Sequence, residues 1–472
     1  MIKVYIDWNV MSGMKNGNFS ELKEIFKNKE KFSLMYSTSH IGDILASNRD
    51  DQEQQDIIQQ DLDFITSLTD NLCLANNGQE VYFDYMNPRE LFEDQYQSNR
   101  LTDNLSIDSL FDSSLYNEDD SLNQIVELAK DQLKSIELPQ DFKDIYKTPE
   151  GAEAMNKLFP GLEDDFSMDG FFKSFGMMFQ NLNEKEGMKD LRAIVQNIGI
   201  NSGHFNPDKK PFDLIETAYK KKGLTDFRNT YVGQGKNAPL WFDEITNEYI
   251  LLDLHGFNSD KIKVNDKEKN TFRNTTEDAA HSAFATLSDF YITNDVKNLK
   301  KTKAVYEKLE IFTKVLKPDE FVEYYKTYLN FNEISDHLES ISNALRQRDL
   351  FHMEFEDEKL ISLTQFSNYY FFNFFNKIIL SLSKVKEIRG GFVLCKDLPS
   401  KHFQIAFVDV ENLVKTFVEN YGVDDNGKGY LRNEEFIEGN WEGRHWSLKV
   451  NYIKLTQINY WFQLYFHPLQ KV

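Results

Sequence analysis

The stretch EDAAHSAFATLSDFYITND, residues 277–295, decides how we interpret the fold, because it joins a helix pattern to a short buried strand. Asp278 lies in the helix pattern, and Phe290 to Thr293 has the apolar character of the strand. Asp295 follows this strand, and the apolar periodicity of about 300–309 predicts a second helix. Helix, buried strand and helix in this order are typical of an α/β protein with a parallel sheet.

The amino-terminal region has the same kind of pattern. The segment Ile2 to Ile6 predicts a strand that ends in Asp7. A second predicted strand, Phe32 to Tyr36, is followed by hydroxyl residues that can cap a helix, and Asp43 lies in the first turns of that helix. Because sites in parallel α/β sheets gather outside the carboxyl ends of the strands, we expect these acids to approach one another.

The four aspartates Asp7, Asp43, Asp278 and Asp295 are therefore the candidate catalytic and metal-binding residues. Carboxylates crowded together repel one another unless a cation neutralises them. Hard oxygen ligands of this kind suit Mg²⁺ or Mn²⁺, and such ions assist phosphodiester hydrolysis. Each acid taken alone also has a structural explanation, such as a helix cap or a solvent-exposed side chain.

Two segments resemble the PIN-like nucleases, a family found in bacteria. Val4-Tyr5-Ile6-Asp7-Trp8-Asn9 is similar to the opening strand of that family. Glu277 to His281, then Asp289 to Asp295 and Lys303-Ala304, resemble its closing half. The similarity covers about 1–90 and 240–315, and Asp43 stands where the family more often has Glu.

The resemblance implies a three-layer α/β/α domain with a central parallel sheet. It implies that the four aspartates bind divalent metal, with Asn9 and Thr293 as supporting polar groups. It also implies hydrolysis of RNA, in a bacterial defence or toxin setting. His281 lies three residues after Asp278 on the same helical face, so it is a further supporting candidate, although a histidine bonded to the backbone is an alternative.

Lysines cluster just beyond Asp295, at positions 297, 300, 301 and 303. Lys297, Lys300 and Lys303 are candidate contacts for substrate phosphates, and a solvated helix face is the alternative interpretation.

The rest of the chain predicts two additions to this domain. A polar stretch and several Phe-rich helical patterns indicate an inserted helical region. After Pro318 we expect helices up to about Lys384, including a buried helix over Tyr369 to Leu382, and then strands. The predicted strands are Phe392–Cys395, Phe403–Phe407 and Trp446–Phe466 with turns inside. The predicted division is 1–93 and 240–316 for the two halves of the PIN-like domain, 94–239 for the mainly helical insertion, and 317–472 for an α+β C-terminal domain.

The segment Asp424 to Glu435 has acidic and amide residues at the spacing of a calcium-binding loop. Lys428 occupies a position that normally offers an oxygen, so we interpret the segment as a Gly-rich connection.

The composition limits the class of protein. The net charge of -22 argues against a protein that coats DNA through a basic stripe, but not against a nuclease whose acids bind cations. The two cysteines, Cys73 and Cys395, lack metal spacing and are typical of a reduced compartment. We see no signal peptide or membrane span and expect a cytoplasmic protein.

The acids and the resemblance together predict a metal-dependent endonuclease, and the resemblance favours RNA over DNA as its substrate. A regulatory protein partner is a further expectation, assigned to the insertion or the C-terminal domain. Two alternatives stay open. One is a PIN-like scaffold without catalysis whose acidic surface binds a protein partner, and the other is a structure-specific DNA nuclease with the same acidic chemistry.

Overall fold

Two β-sheets form the framework of the described part of the chain. The computed structural model describes residues 1–46, 52–102, 137–138, 140–171, 173–174, 177, 192–193, 195–196, 200–206, 209–221, 238–258, 272–384, 391–397, 403–432, 435, 441, 443–448, 451–458 and 461–468. Among these residues, no helix is both long and apolar enough to cross a membrane.

The first sheet has the order β4-β3-β2-β1-β5-β6. All neighbouring strands are parallel except β3 and β4, which are antiparallel. Its strands are β1 (Ile2–Ile6), β2 (Phe32–Ser37), β3 (Leu72–Asn76), β4 (Val81–Tyr85), β5 (Phe290–Ile292) and β6 (Lys314–Leu316). The prediction of an α/β protein with a parallel sheet is thus confirmed.

Helices connect these strands and follow the last of them. They are α1 (Trp8–Lys15), α2 (Ser20–Ile25), α3 (Thr38–Ala46), α4 (Gln52–Thr69), α5 (Pro88–Thr102), α6 (Gln140–Ile145), α7 (Pro149–Leu158), α8 (Pro211–Lys221), α9 (Leu240–Leu254), α10 (Phe272–Ala285), α11 (Val296–Lys308) and α12 (Pro318–Tyr324).

The central strand β1 is buried on both faces, as parallel strands usually are. Because side chains alternate along a strand, Ile2, Val4 and Ile6 contact one hydrophobic cluster while Tyr5 contacts the other. The first cluster includes residues of α1 to α5 and α12, and the second includes residues of α8 to α11. The apolar pattern of β1 thus fixes the sheet between two packed faces.

Helix α12 lies after the predicted domain boundary at Lys317, yet it packs into the core of the first sheet. Its Phe321 is fully buried, and its ring centroid is 5.3 Å from that of Phe26 and 5.2 Å from that of Phe290. The division of the chain into four segments stays a prediction, but a truncation at Lys317 would remove this aromatic packing.

The second sheet is antiparallel throughout, with the order β11-β12-β13-β10-β9-β8-β7. Helices α13 and α14 contribute to its core. The elements are α13 (Ile334–Arg346), β7 (His352–Glu356), β8 (Leu360–Phe371), β9 (Phe375–Ser383), β10 (Gly391–Asp397), α14 (Phe403–Tyr421), β11 (Arg444–Ser447), β12 (Asn451–Ile458) and β13 (Trp461–Pro468).

Two sequence expectations in this region are wrong. The helices expected up to about Lys384 give way to strands from His352 onward, and the run Tyr369 to Leu382, predicted as a helix, belongs to the hairpin of β8 and β9. Its turn includes Phe372 and Asn373, whose φ angles of 54° and 53° are left-handed and so end the strand. Phe403 to Phe407, predicted as a strand, begins helix α14. Short apolar runs fit a buried strand and a buried helix equally well, which explains both errors.

Buried charges join the two sheets at the end of β1 remote from Asp7. Asp289 accepts a hydrogen bond from the amide of Lys3 at 2.9 Å, and its other carboxylate oxygen binds the ammonium of Lys396 in β10. The ammonium of Lys3 binds Asp409 of α14, which is fully buried. These contacts fix β1 and β5 against the second sheet.

The segment with calcium-loop spacing is closed by an arginine. Asp424 accepts hydrogen bonds from the amides of Asn426 and Lys428 at 2.9 and 2.8 Å. The buried guanidinium of Arg444 lies 3.1 Å from the other oxygen of Asp424 and 2.6 Å from Glu435. The acids at the two ends of the segment are thus bridged by a cationic side chain of the protein itself.

Acid should weaken the fold through His337 of α13, which accepts a hydrogen bond from the amide of Phe372 at 3.1 Å. Burial and the charge of Lys31, opposed by Asp336, together lower the pKa of His337 from 6.5 to about 4. Protonation of His337 is harder in the folded state than in the unfolded state. The stability that the neutral ring contributes is therefore fully present above pH 6.5 and is lost as the pH falls towards 4. We expect a loss of about 3 kcal/mol in the free energy of unfolding.

Denaturant unfolding of the wild type and of His337→Gln at several pH values measures this effect. The difference between the two proteins should shrink by about 2 to 3 kcal/mol between neutral pH and pH 4, because the other titrating groups cancel. A difference that does not change with pH would contradict the assignment.

Candidate functional site

The four predicted aspartates lie together at the carboxyl edge of the first sheet. Asp7 follows β1 and Asp295 follows β5, while Asp43 comes from α3 and Asp278 from α10. Each is electrostatically coupled to at least two of the others. The structure therefore brings together acids that are separated by more than 200 positions in the sequence.

Asp7 is oriented by donors on one side of its carboxylate. Oδ2 accepts hydrogen bonds from Thr293 Oγ1 at 2.6 Å and Asn9 Nδ2 at 2.7 Å, with Asn298 Nδ2 at 3.5 Å. The Asp295 amide donates in turn to Thr293 Oγ1 at 3.1 Å. Oδ1 accepts no hydrogen bond from the described residues, so this oxygen can bind a cation while Oδ2 is held in place.

The pKa of Asp7 reflects the crowding of acids. Burial raises this pKa, and the carboxylates of Asp43 and Asp295 raise it further. His281 and the hydrogen bond from Thr293 lower it. A cation bound between these acids would remove the repulsion and favour the charged form.

Asp278 and Asp295 differ in their surroundings. Burial raises the pKa of Asp278 well above its usual value, Lys301 opposes this, and Asp7, Asp43 and Asp295 add to the rise. Asp295 caps α11, because one carboxylate oxygen accepts from the amides of residues 297 and 298 at 2.7 and 3.0 Å. Its capping role and its place among the acids are compatible, since a carboxylate has two oxygens.

Asp43 and His281 form a direct pair. Nε2 of His281 lies 2.9 Å from Oδ2 of Asp43, with the histidine side chain 1% and the aspartate side chain 29% exposed. Burial lowers the pKa of His281, but the charge and hydrogen bond of Asp43, together with the charges of Asp7 and Glu277, outweigh burial and raise the pKa to about 9. Asp43 is thus within contact of the site despite being shorter than the glutamate expected from the resemblance.

One group of side chains in the described part of the chain has the spacing of a metal site. The ligand atoms of Asp7, Asp43 and His281 all lie within 4.8 Å of one another. Two ligands on opposite sides of an octahedral ion with bonds of about 2.1 Å are roughly 4.2 Å apart. These three side chains can therefore bind one cation with small adjustments, and Asp278 and Asp295 lie beside them.

Behind His281 lies a buried polar network. Nδ1 of His281 is 2.6 Å from the hydroxyl of Tyr5, which is 2.5 Å from Oγ of Ser37. His40 accepts a hydrogen bond from the Ser37 amide at 3.0 Å on Nδ1, and its Nε2 lies 2.7 Å from the carbonyl oxygen of Ile6. The network links β1, β2 and α3 to the histidine of α10.

Tyr249 of α9 brings an unsatisfied hydroxyl to this region. Its side chain is fully buried, and its hydroxyl has no hydrogen-bond partner among the described residues. Burial raises the pKa of Tyr249 well above its usual value. Among the charges that raise it further, Asp278 has the largest effect, followed by Asp253, Asp295 and Asp7. A buried hydroxyl without a partner is costly, so its place among carboxylates points to a bound ligand or water.

The predicted lysines occupy different positions on α11. Lys300 and Lys303 are exposed, and Lys297 is half-buried. Their neighbour Lys301 is buried, with its ammonium 3.0 Å from Asp253. Among the charged groups that act on the pKa of Asp278, Lys301 has the largest effect. Lys300 and Lys303 instead face solvent.

Sequence reasoning missed several residues that support the site. They include Tyr5 and Ser37 of the network behind His281, and also Tyr249 and Asn298. His40 is a weaker candidate from the sequence, since His40 and Asp43 have the same spacing as Asp278 and His281. The others lie on core positions and resemble ordinary packing residues.

No protein-family model matches the chain, and neither curated proteins nor solved structures gave a match.

Proposed function

We propose that the protein is a metal-dependent endonuclease of the PIN-like class that hydrolyses RNA in the cytoplasm. In this proposal the first sheet and its helices form the three-layer α/β/α domain of that class. The observation that supports it best is the convergence of Asp7, Asp43, Asp278 and Asp295 at the carboxyl edge of a mainly parallel sheet. RNA as substrate, and a role in bacterial defence, follow from the resemblance.

The residues of the site have distinct tasks in this proposal. Asp7, Asp43, Asp278 and Asp295 would bind Mg²⁺ or Mn²⁺, and His281 would support Asp43 through their direct pair. Thr293 and Asn9 hold Asp7 in orientation. A divalent cation supplies positive charge that acidifies water and stabilises a phosphodiester under attack. No nucleophilic side chain is required.

The lysines beyond Asp295 would contact the substrate backbone. Lys300 and Lys303 are exposed on α11, so their ammonium groups can reach a phosphate without desolvation. These two lysines would offer positive charge to a polyanion on the surface of a protein whose net charge is -22.

Adding Mn²⁺ should raise the melting temperature of the wild-type protein. An ion that binds the native state alone stabilises it by about 2.7 kcal/mol at a concentration one hundred times the dissociation constant. Asp7→Asn removes one ligand and should abolish most of this rise. Differential scanning fluorimetry with and without Mn²⁺ measures it, and equal melting temperatures under all conditions would count against a metal site.

The proposal is tested by RNA cleavage with added Mg²⁺ or Mn²⁺. A protein that binds Mn²⁺ but cuts neither RNA nor DNA would favour the scaffold alternative. Cleavage of structured DNA with intact RNA would favour the DNA nuclease.

A further inference from the structure

We propose that Nε2 of His281 is a direct ligand of the cation, so that the site selects a first-row transition ion such as Mn²⁺ over Mg²⁺. This inference rests on the metal site of the proposed function and specifies its chemistry. It assigns His281 a place in the ligand set, beside Asp7 and Asp43, rather than a supporting role.

The two contacts of the His40 ring show which of its nitrogens carries the hydrogen. Nε2 of His40 lies 2.7 Å from the carbonyl oxygen of Ile6, and a carbonyl only accepts hydrogen bonds. Nδ1 of the same ring receives the amide hydrogen of Ser37 at 3.0 Å. His40 is therefore the neutral tautomer with its hydrogen on Nε2, and its Nδ1 is an acceptor at the end of the network.

The position of the hydrogen on His40 determines how the hydrogen bonds that lead to His281 can run. Oγ of Ser37 lies 3.2 Å from Nδ1 of His40, so it can donate there while accepting the hydroxyl hydrogen of Tyr5 at 2.5 Å. The oxygen of Tyr5 then accepts from Nδ1 of His281 at 2.6 Å. The network thus accommodates a His281 with its hydrogen on Nδ1 and leaves no buried donor unpaired.

The other ring nitrogen of His281, Nε2, faces the acids. Nε2 of His281 shares a hydrogen with Asp43 at 2.9 Å. A cation bound between Asp43 and Asp7 would displace this hydrogen to water, and Nε2 would then offer its lone pair to the ion while Nδ1 keeps its hydrogen. Metal-binding histidines usually donate from the second nitrogen to a fixed partner, which sets the tautomer and the ring orientation. Tyr5 provides that partner for His281.

An independent feature also points to a ligand in this cleft. The hydroxyl of Tyr249 is fully buried and has no partner in the described part of the chain, and Asp278 is the charge that acts on it most strongly. Water bound to a cation beside Asp278 would satisfy this hydroxyl. The acids of the site thus act on a buried hydroxyl whose missing partner a bound ligand could supply.

The choice of metal follows from the ligand types. Mg²⁺ prefers oxygen ligands and loses its water reluctantly. A site in which one imidazole nitrogen joins two carboxylates gains more from ions that accept nitrogen, and the binding strength rises from Mn²⁺ along the first transition row. We expect Mn²⁺ to bind at least about tenfold more tightly than Mg²⁺.

The deciding experiment is electron paramagnetic resonance of Mn²⁺ bound to the full-length protein. Electron spin echo modulation should detect a nitrogen directly coordinated to Mn²⁺ in the wild type. His281→Gln replaces the nitrogen with an amide oxygen and should abolish that signal. The Mn²⁺-to-Mg²⁺ affinity ratio, from calorimetric competition, should fall about tenfold in His281→Gln, whereas Asp7→Asn should weaken both ions and leave the ratio unchanged.

A second variant tests the network without touching a ligand. Tyr5→Phe keeps the ring but removes the hydroxyl that accepts from His281. Because loss of such a partner typically costs ten- to a hundredfold in metal affinity, Mn²⁺ should bind more weakly while its nitrogen signal persists. Affinity equal to the wild type would contradict the role of Tyr5.

The outcomes separate this inference from the proposed function. Bound Mn²⁺ without a nitrogen signal overturns the histidine ligand and leaves an acidic metal site intact. Failure of the wild type to bind Mn²⁺ or Mg²⁺ overturns both. If His281→Gln fails to fold, the presence or absence of the nitrogen signal in the wild type still decides.

Discussion

Asp278→Asn should abolish metal-dependent RNA cleavage while the protein stays folded. Asparagine has nearly the same size as aspartate but lacks the charge that the cluster of acids offers to a cation. Because a bound ion lowers the barrier of phosphodiester hydrolysis by several kcal/mol, we expect a loss of roughly a thousandfold or more in rate. Asp7→Asn should behave in the same way.

The matched control is Asp70→Asn, which makes the same substitution on an exposed residue in the turn between α4 and β3, away from the acids. Asp70 has a φ of 53°, which asparagine adopts readily, so the fold should not change. Circular dichroism and melting curves establish folding for all three variants. Full activity in both Asp7→Asn and Asp278→Asn would refute the catalytic assignment.

The second large effect concerns stability rather than catalysis. Asp289→Ala should lower the free energy of unfolding by about 3 to 5 kcal/mol, because it leaves a buried ammonium without its partner. The side chains of Asp289 and Lys396 are 8% and 7% exposed, and burial lowers the pKa of Lys396 while Asp289 opposes this. The substitution also removes the acceptor of the Lys3 amide.

Urea unfolding measures this loss, with Glu24→Ala as the matched control. Glu24 also pairs with a lysine, Lys27, but both side chains are 66% exposed, and exposed pairs of this kind contribute little. A loss for Asp289→Ala no larger than that for Glu24→Ala would show that the contact between the sheets is weak.

The sequence placed the acids well because the signal is local. An apolar strand that ends in an acid, as at Asp7, fixes that side chain at the carboxyl edge of a parallel sheet. Asp278 and Asp295 flank the short strand β5 and reach the same edge through their helices. Periodicity indicates these edge positions, while the choice of the four aspartates as one set depends chiefly on the resemblance to the PIN-like nucleases.

The surroundings of the acids could not be predicted in this way. Tyr5 alternates with apolar neighbours in β1, so it has the pattern of a core residue, and only the fold shows that its hydroxyl meets His281. Similarly, Lys301 and its exposed neighbours share one helix, and the burial of Lys301 depends on Asp253 of α9. Such roles arise from contacts between distant segments.

The errors in the C-terminal region have the same origin. The aromatic run 369–382 contains both the end of β8 and the start of β9, and Asn373 marks the turn rather than a polar position on a helix. Residues 403–407 are too few to distinguish a strand from the first turn of the 19-residue α14. Pairing with distant strands decides such segments, and pairing is not visible locally.

The central claim is tested most directly by incubating the purified protein with total RNA, tRNA, and single- and double-stranded DNA, with Mn²⁺, Mg²⁺ or EDTA, beside Asp278→Asn. We predict that the protein cuts RNA in the presence of the metal ion, and that EDTA and the substitution each abolish cutting. Cleavage that persists in EDTA or in Asp278→Asn would contradict it.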